Sequence, residues 1–398
     1  MTKTDYSLTI EIDAESSTFH FYSMLGEDES SLKHAVKGYG GELFDETFFI
    51  KFKEAIKGYI MENPADGIRK TTVILPDSAV LTDTVKVPSM KGFGQTQKAL
   101  DATLGGLFKN YSDLRITSNV IAQNKQYITY FIVAVKKNIV SSICAACSEN
   151  KLLADTITFA SNAVICGATV LDNKLKNKSY LFLDIKDTYS KFIFVVNGKT
   201  VGRYLLPFGL EFLKKDVVVS EDMLFNHSYA EISVINAKEK AKSKRQSVLA
   251  ISSILESETD DETEDIDAEA DLQIMNANIQ PGEKIFRKKI RKLPKFMQRE
   301  IPETKEGILY ENFRIFVKWA LTLIRDNEKL TELGELEFVC VNIPNEFSYV
   351  LDKVNEKVEE NKIEFTAFKR ENIDDIVISN LELYGGLFSK LIGKMGEI

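Results

Sequence analysis

The sequence predicts an α/β protein long enough for two lobes, and three observations carry that prediction. Two segments share one pattern: Leu8-Thr9-Ile10-Glu11-Ile12-Asp13-Ala14-Glu15-Ser16-Ser17 and Leu181-Phe182-Leu183-Asp184-Ile185-Lys186-Asp187-Thr188-Tyr189-Ser190. Each runs an apolar strand into an Asp, then a short turn, hydroxyl residues and another strand. Asn197-Gly198 joins two further apolar runs as a type I′ hairpin, the clearest local signal in the chain. The 398 residues, 44% hydrophobic and 28% charged, are enough for a core in each lobe.

In chain order, residues 6–24 alternate as two strands, and Thr47 to Asn63 has helical spacing through Phe48, Phe52, Ala55, Ile56 and Tyr59. A small α/β block follows. Thr72 to Leu75 and Thr82 to Val87 read as strands around Pro76-Asp77-Ser78, and Gly94 to Lys109 as a helix. Arg115 to Gln123 and Gln126 to Val135 read as a paired ribbon, and Lys137 to Glu149 as a helix. The second half opens with strands at Tyr180 to Asp184, Lys191 to Val196 and Thr200 to Leu206. Helices are predicted at Leu210 to Lys215, Tyr229 to Gln246 and Glu311 to Arg325, the last with Phe313, Phe316, Val317, Ala320, Leu323 and Ile324 as its buried stripe. A strand-helix-strand-helix unit closes the chain.

Several function classes are disfavoured by composition. A net charge of -8 discourages non-specific binding to nucleic acid. Four cysteines in so long a chain make no disulfide framework, and no signal-peptide pattern opens it, so the expected location is the cytoplasm. The longest uncharged run, Thr156 to Leu171, falls short of the ~20 apolar residues that cross a bilayer. Cys144-Ala145-Ala146-Cys147 has a metal or redox spacing, yet it sits in a helical pattern without a second ligand pair and reads as small core residues. His20, His34 and His227 are isolated in the sequence and suggest no catalytic set.

Between about Glu256 and Arg299 the pattern breaks. Glu256 to Asp265 is acidic with almost no large apolar residue, which predicts disorder because little burial offsets the ordering entropy. The basic run Lys284 to Lys292 suits anionic lipid or an acidic partner, or pairing with the acidic run beside it. Near the end, Leu387, Phe388, Leu391, Ile392 and Met395 form one apolar face, fit either for a membrane surface or for packing on the second lobe, the latter preferred.

A series of segments in one order resembles the PilM family, FtsA-like proteins of type IV pilus assembly within the actin-like ATPase superfamily. They are Leu75-Pro76-Asp77-Ser78-Ala79-Val80, Val133-Ala134-Val135-Lys136-Lys137 with the helix after it, Tyr180 to Leu213 with Asn197-Gly198-Lys199 and Leu206-Pro207-Phe208-Gly209, and Phe313 to Arg325. The resemblance implies an actin-like (ribonuclease H-like) fold. It assigns 1–35 and 156–178 to the first lobe, 36–155 to a small α/β subdomain inserted there, 179–235 and 333–398 to the second lobe, and 236–332 to a helical subdomain.

In that superfamily the two turns face each other across a nucleotide cleft, each with a glycine after its Asp-x pair. Here those positions are Glu15 and Lys186, and the third nucleotide-contacting turn is Asn342-Ile343-Pro344-Asn345-Glu346. Side chains obstruct the close approach of backbone N–H groups to phosphate, and Pro344 has no N–H to offer. The ancestral cleft positions are therefore Asp13, Glu15, Ser16, Ser17, Asp184, Lys186, Thr188 and Asn342, expected not to bind nucleotide. Asp13 and Asp184 would be Mg²⁺-side residues in an active relative and no metal is expected here; both are also ordinary turn formers. Glu15 and Lys186 are expected either to pair across the cleft or to remain exposed turn residues.

The function implied is a cytoplasmic scaffold at the inner face of the membrane. It would bind the N-terminal peptide of a PilN-like bitopic protein in a pilus assembly platform, without ATP turnover, and with possible peripheral membrane contact. Val120, Tyr127 and Tyr130 on the insert's strands are candidate groove residues. Alternatives are an FtsA-like nucleotide-dependent filament protein, in which ATP and Mg²⁺ are retained, and a sugar-kinase-like enzyme, for which no catalytic Asp is evident.

Overall fold

Alternation over the first segment builds β1 (Tyr6–Asp13) and β2 (Thr18–Leu25), antiparallel from Tyr6 opposite Leu25 to Asp13 opposite Thr18. The computed structural model describes residues 6–26, 28–63, 70–90, 94–108, 110–206, 208–215, 304–326, 336–358, 363–368 and 381–392. β3 (Asp28–Gly38) extends the meander on β2, and β4 (Lys70–Leu75) and β8 (Leu153–Phe159) add in parallel beyond β1, giving the order β3-β2-β1-β4-β8. One face of this sheet, with Leu8, Ile10, Ile12, Phe19 and Phe21, shares a core with Phe48, Phe52, Ile56 and Tyr59 of α1 (Glu46–Glu62), whose N-terminus Asp45 caps through the Phe48 N–H at 2.6 Å.

The second lobe repeats the plan. β9 (Tyr180–Ile185), β10 (Ser190–Val196) and β11 (Lys199–Leu206) form the meander, and β12 (Phe338–Asn342) and β13 (Glu364–Ala367) add in parallel, in the order β11-β10-β9-β12-β13. The two sheets therefore carry one topology twice, the duplicated plan of an actin-like fold. Asn197 and Gly198 both take left-handed φ, 51° and 72°, as the two-residue turn requires. α6 (Lys305–Asp326) buries Phe313, Phe316, Val317 and Ala320 of the expected stripe, while Ile324 is half-buried and the Leu323 side chain is not among those described; the Phe316 ring is 5.9 Å from that of Phe212 in the short α5 (Leu210–Leu213). α7 (Tyr349–Val358) links β12 to β13.

The insert is smaller than residues 36–155. It comprises β5 (Leu81–Pro88), α2 (Gln95–Leu107), β6 (Leu114–Gln123) and β7 (Tyr127–Lys136), with strand order β5-β7-β6. The end of β3, β4 and the start of β8 belong to the first sheet, α1 packs on that sheet, and α3 (Lys137–Glu149) packs on α1 and β8. β3 itself has no apolar alternation to announce it, since Glu29, Ser30, Lys33, His34 and Lys37 dominate. It exists because β2 supplies the ladder, and its charged residues suit a sheet edge.

Two helices cross between the lobes. α4 (Ala160–Leu171), from the uncharged run, follows the first sheet but sends Val164, Ile165 and Ala168 into a core with Tyr180, Phe182, Ile193 and Val195 of the second. α8 (Leu381–Ile392) follows the second sheet but lies on α4 and on β1, β2 and β4. The last helix is thus packed, but chiefly against the first lobe and not the second: Leu383 and Tyr384 are buried against Tyr22 and Met24, with Leu387 beside them. The predicted helix Tyr229 to Gln246, the acidic and basic runs and Met395 lie outside the described residues. Among those described, no helix is long and apolar enough to cross a membrane.

Candidate functional site

The first Asp turn uses its own carboxylate. Asp13, at the end of β1, accepts from the Glu15 N–H at 2.9 Å, the Ser16 N–H at 3.4 Å and the Ser16 hydroxyl at 2.6 Å, so the turn is held by its Asp side chain. Ser17 takes a left-handed φ of 54°, and Glu15 and Ser16 are exposed.

At the second turn Asp184 is fully buried. Asn342, its register partner on β12, donates to Oδ1 at 2.8 Å, and the Lys186 ammonium lies 3.3 Å from Oδ2. Three expected cleft residues are thus brought together, held by one another. Thr188 is exposed on the loop between β9 and β10. That loop is closed by the Lys186 N–H to the Tyr189 carbonyl at 2.9 Å, and its own carbonyls accept from Leu210 and Glu211 at 2.8 and 2.9 Å. Gly209 is required there, since a Cβ would overlap the Lys186 carbonyl oxygen. In the third turn Ile343 is buried, and the Pro344 carbonyl accepts the Phe347 N–H at 2.9 Å.

The cross-cleft pair of Glu15 with Lys186 does not form. Lys186 is taken by Asp184 and, at 3.0 Å, by Glu382 on the first turn of α8. The other Glu382 oxygen lies 3.1 Å from Lys191 of β10, so one buried carboxylate sits between two buried lysines. Lys191 is also 3.9 Å from Asp77 of the first lobe. Asp77 receives the Ser161 N–H at 3.0 Å and hydroxyl at 2.6 Å at the start of α4, with Arg203 of β11 3.4 Å away. Arg203 further donates to Thr82 Oγ1 at 3.0 Å and to the Val80 carbonyl at 2.9 Å, clamping the second lobe onto the first.

Burial would raise the Glu382 carboxyl, yet Lys186 and Lys191 hold it down at about 2. Burial likewise opposes charge on both lysines, and their carboxylate neighbours outweigh it, Asp184 then Glu382 for Lys186 and Glu382 then Asp77 for Lys191, so both titrate above the ordinary lysine value. Glu11, one strand position from Ile12 on the cleft face of β1, is pushed up to about 8 by burial and then by Glu382. It carries a proton at neutral pH. Because its folded value is above the unfolded 4.5, the native state keeps a proton that the unfolded chain has lost, and stability falls as pH rises from 4.5 to 8. Glu11→Gln removes that dependence. The variant is expected to be more stable than the parent by about 1–3 kcal/mol at pH 9 and nearly equal to it at pH 5, as measured by denaturant unfolding at the two pH values.

A cavity of about 50 Å³ beside the first turn is lined by Glu11, Asp13, Asp77, Ser161, Lys191 and Arg203 among others. Pockets for drug-sized ligands begin near ~300 Å³. Glu11, Lys191, Arg203 and Glu382 were not singled out by sequence reasoning. Their signal is a charged residue inside an otherwise apolar run, as in Ile10-Glu11-Ile12, Ser190-Lys191-Phe192 and Leu381-Glu382-Leu383. His20 and His34, isolated in sequence, are neighbours across β2 and β3, with ring nitrogens 3.2 Å apart.

No family model matches the sequence, and no curated protein matches it. Among solved structures the chain is similar to a PilM-PilN type IV pilus biogenesis complex, at 12% identity, covering 98% of this chain and 97% of that one, with a TM-score of 0.49. It is similar to the cytoplasmic domain of EpsL, an inner membrane component of the type II secretion system of Vibrio cholerae, at 12% identity over 55% and 78% of the chains, TM-score 0.34. MreB 5 of Spiroplasma citri bound to AMPPNP is a third, at 10% identity over 98% and 97%, TM-score 0.38. The duplicated strand order, and not these distant likenesses, defines the fold.

Proposed function

We propose that the chain is a non-hydrolysing actin-like scaffold of a type IV pilus or related secretion platform, which binds the cytoplasmic N-terminal peptide of a PilN-like membrane protein. The observation that carries the reading is the Lys186–Glu382–Lys191 triad. The two lysines that line the second turn are neutralised by a carboxylate of the protein's own last helix, so an entering phosphate would have to displace a buried, paired anion. Asp13 and Asp184, the candidate Mg²⁺-side residues, are spent on Ser16 and on Asn342 and Lys186. In this reading the cleft is closed to ATP.

Function then lies in recognition, and the insert offers a surface. Val120 is exposed on β6, opposite Tyr130 of β7 and on the same face, whereas Tyr127 lies on the other face under Lys86 at 5.3 Å. Val120 and Tyr130 are therefore the pair to test as a groove, without Tyr127. Calorimetry of the full chain is expected to show no heat with Mg-ATP and micromolar binding of the cognate peptide, weakened at least tenfold by Val120→Asp. Micromolar binding of Mg-ATP would overturn the reading in favour of an FtsA-like nucleotide-dependent protein, and absence of peptide binding would remove the proposed partner.

A further inference from the structure

We propose that His20 and His34 form a two-imidazole clamp for a divalent transition metal of the zinc, nickel or copper class, its remaining positions filled by water. The chain holds three histidines, and the fold brings two of them together: His20 on β2 and His34 on the edge strand β3, with His20 Nδ1 3.2 Å from His34 Nε2. Two imidazole nitrogens bound tetrahedrally to one zinc ion at 2.0–2.1 Å stand ~3.3 Å apart, so the separation already matches the edge of such a polyhedron. The two rings meet end to end, with centroids 5.4 Å apart and planes 16° from parallel, so a metal would sit off the line joining the nitrogens and each ring would turn to aim its lone pair at it. His34 is exposed at the sheet edge, which leaves that side open to solvent ligands.

The hydrogen-bond chain behind His20 sets which nitrogen faces the partner. Ser16 donates its single hydroxyl proton to Asp13 Oδ2 at 2.6 Å. In the 2.5 Å contact between Ser16 and Thr18, Thr18 must then be the donor. Thr18, its own proton used, accepts from His20 Nε2 at 2.9 Å. The His20 proton is thereby fixed on Nε2, and the Nδ1 lone pair is directed at His34. A ligating histidine whose other N–H is held by an oriented acceptor is the usual outer arrangement of a protein metal site. On binding, His34 moves its proton to Nδ1 and offers the Nε2 lone pair, so no charge is left on either ring. Partial burial lowers the His20 imidazole below the ordinary histidine value, which favours its neutral, ligating form. Magnesium and calcium are excluded by the nitrogen donors, since hard cations select oxygen.

The inference is independent of the peptide and nucleotide readings above. Metal-stripped full chain is titrated with zinc chloride at pH 7.5 by calorimetry, and with copper(II) under electron paramagnetic resonance to count coordinated nitrogens. The expected result is one zinc per chain in the micromolar range, two imidazole nitrogens on copper, no response to magnesium, and affinity reduced at least tenfold by His20→Ala and by His34→Gln but unchanged by His227→Ala. Thr18→Val, which removes the acceptor for His20 Nε2, should weaken zinc several-fold, and Thr18→Ser should restore it, identifying Thr18 as a positioning residue. Because His34 is exposed, His34→Gln should melt like the parent in the absence of metal. No zinc binding by the parent, or an affinity in either histidine variant equal to the parent's, overturns the proposal and leaves the pair as a hydrogen bond only.

Discussion

Glu382→Ala is expected to destabilise the protein by about 3–5 kcal/mol, because it removes the carboxylate shared by two enclosed ammonium groups and leaves Lys191 with only Asp77, 3.9 Å away. Lys191 is 6% exposed at its side chain and Lys186 17%, so neither can recover hydration without opening the interface. The pair itself need not be a net source of stability, since the desolvation of three charges offsets much of their attraction. The loss comes from removing one partner and leaving the others. That distinction yields a second arm: Glu382→Leu combined with Lys191→Met deletes a charge of each sign and keeps the Lys186–Asp184 pair, and should regain at least half of the loss. The pH arm has a definite sign. The folded Glu382 value of about 2 lies below the unfolded 4.5, so its stabilisation is complete above pH 4.5 and disappears as pH falls toward 2. Denaturant unfolding at pH 7 and pH 3 measures both. If Glu382→Ala stays within 1 kcal/mol of the parent at pH 7, the triad is not the keystone argued here.

The fold was legible where one local rule decides the outcome. Asn197-Gly198 takes the turn that its left-handed pair favours, and the helical spacing predicts Phe48, Phe52, Ile56 and Tyr59 as the buried residues of α1, whereas α6 buries Glu311, Arg314, Lys318 and Trp319 besides the expected Phe313, Phe316, Val317 and Ala320. The repeated strand-Asp-turn segment also points to the duplicated sheet plan, because each copy opens a meander whose first strand later receives two parallel neighbours. What could not be read is set by partners distant in sequence. β3 is a strand because β2 has an open edge, and the insert boundary moves because α1 and β4 choose the first sheet over the insert. The site shows the same division. Asp13 and Asp184 are legible from the strand ends, but for Lys186 the sequence offers only pairing with Glu15 across the expected cleft or exposure in the turn. The true partner is Glu382, 196 positions away in sequence, delivered by a helix that crosses to the other lobe.

That crossing depends on two glycines, and Gly385→Ala is expected to cost about 3 kcal/mol or more, at or beyond the top of the range for an extra core methyl. A Cβ at Gly385 would overlap the Ala163 carbonyl oxygen and lie 2.6 Å from the Gly167 nitrogen, and Gly167 meets the Leu381 carbonyl in the same way from the opposite helix. Both obstacles are backbone, so neither can rotate aside. α8 would have to rise from α4, and in rising it would lift Leu383 and Tyr384 from β2 and draw Glu382 from its lysines, coupling packing loss to charge loss. Alanine is the better helix former by ~1 kcal/mol, so propensity alone predicts the opposite sign. Gly105→Ala separates the two effects: Gly105 sits in α2 with nothing within 4 Å of its would-be Cβ, and there the same change should stabilise by about 0.5–1 kcal/mol. Equal shifts in the two variants would mean that the helices do not approach as closely as the glycines allow. Opposite shifts, with a falling midpoint for Gly385→Ala, locate the joint between the lobes at the α4–α8 crossing.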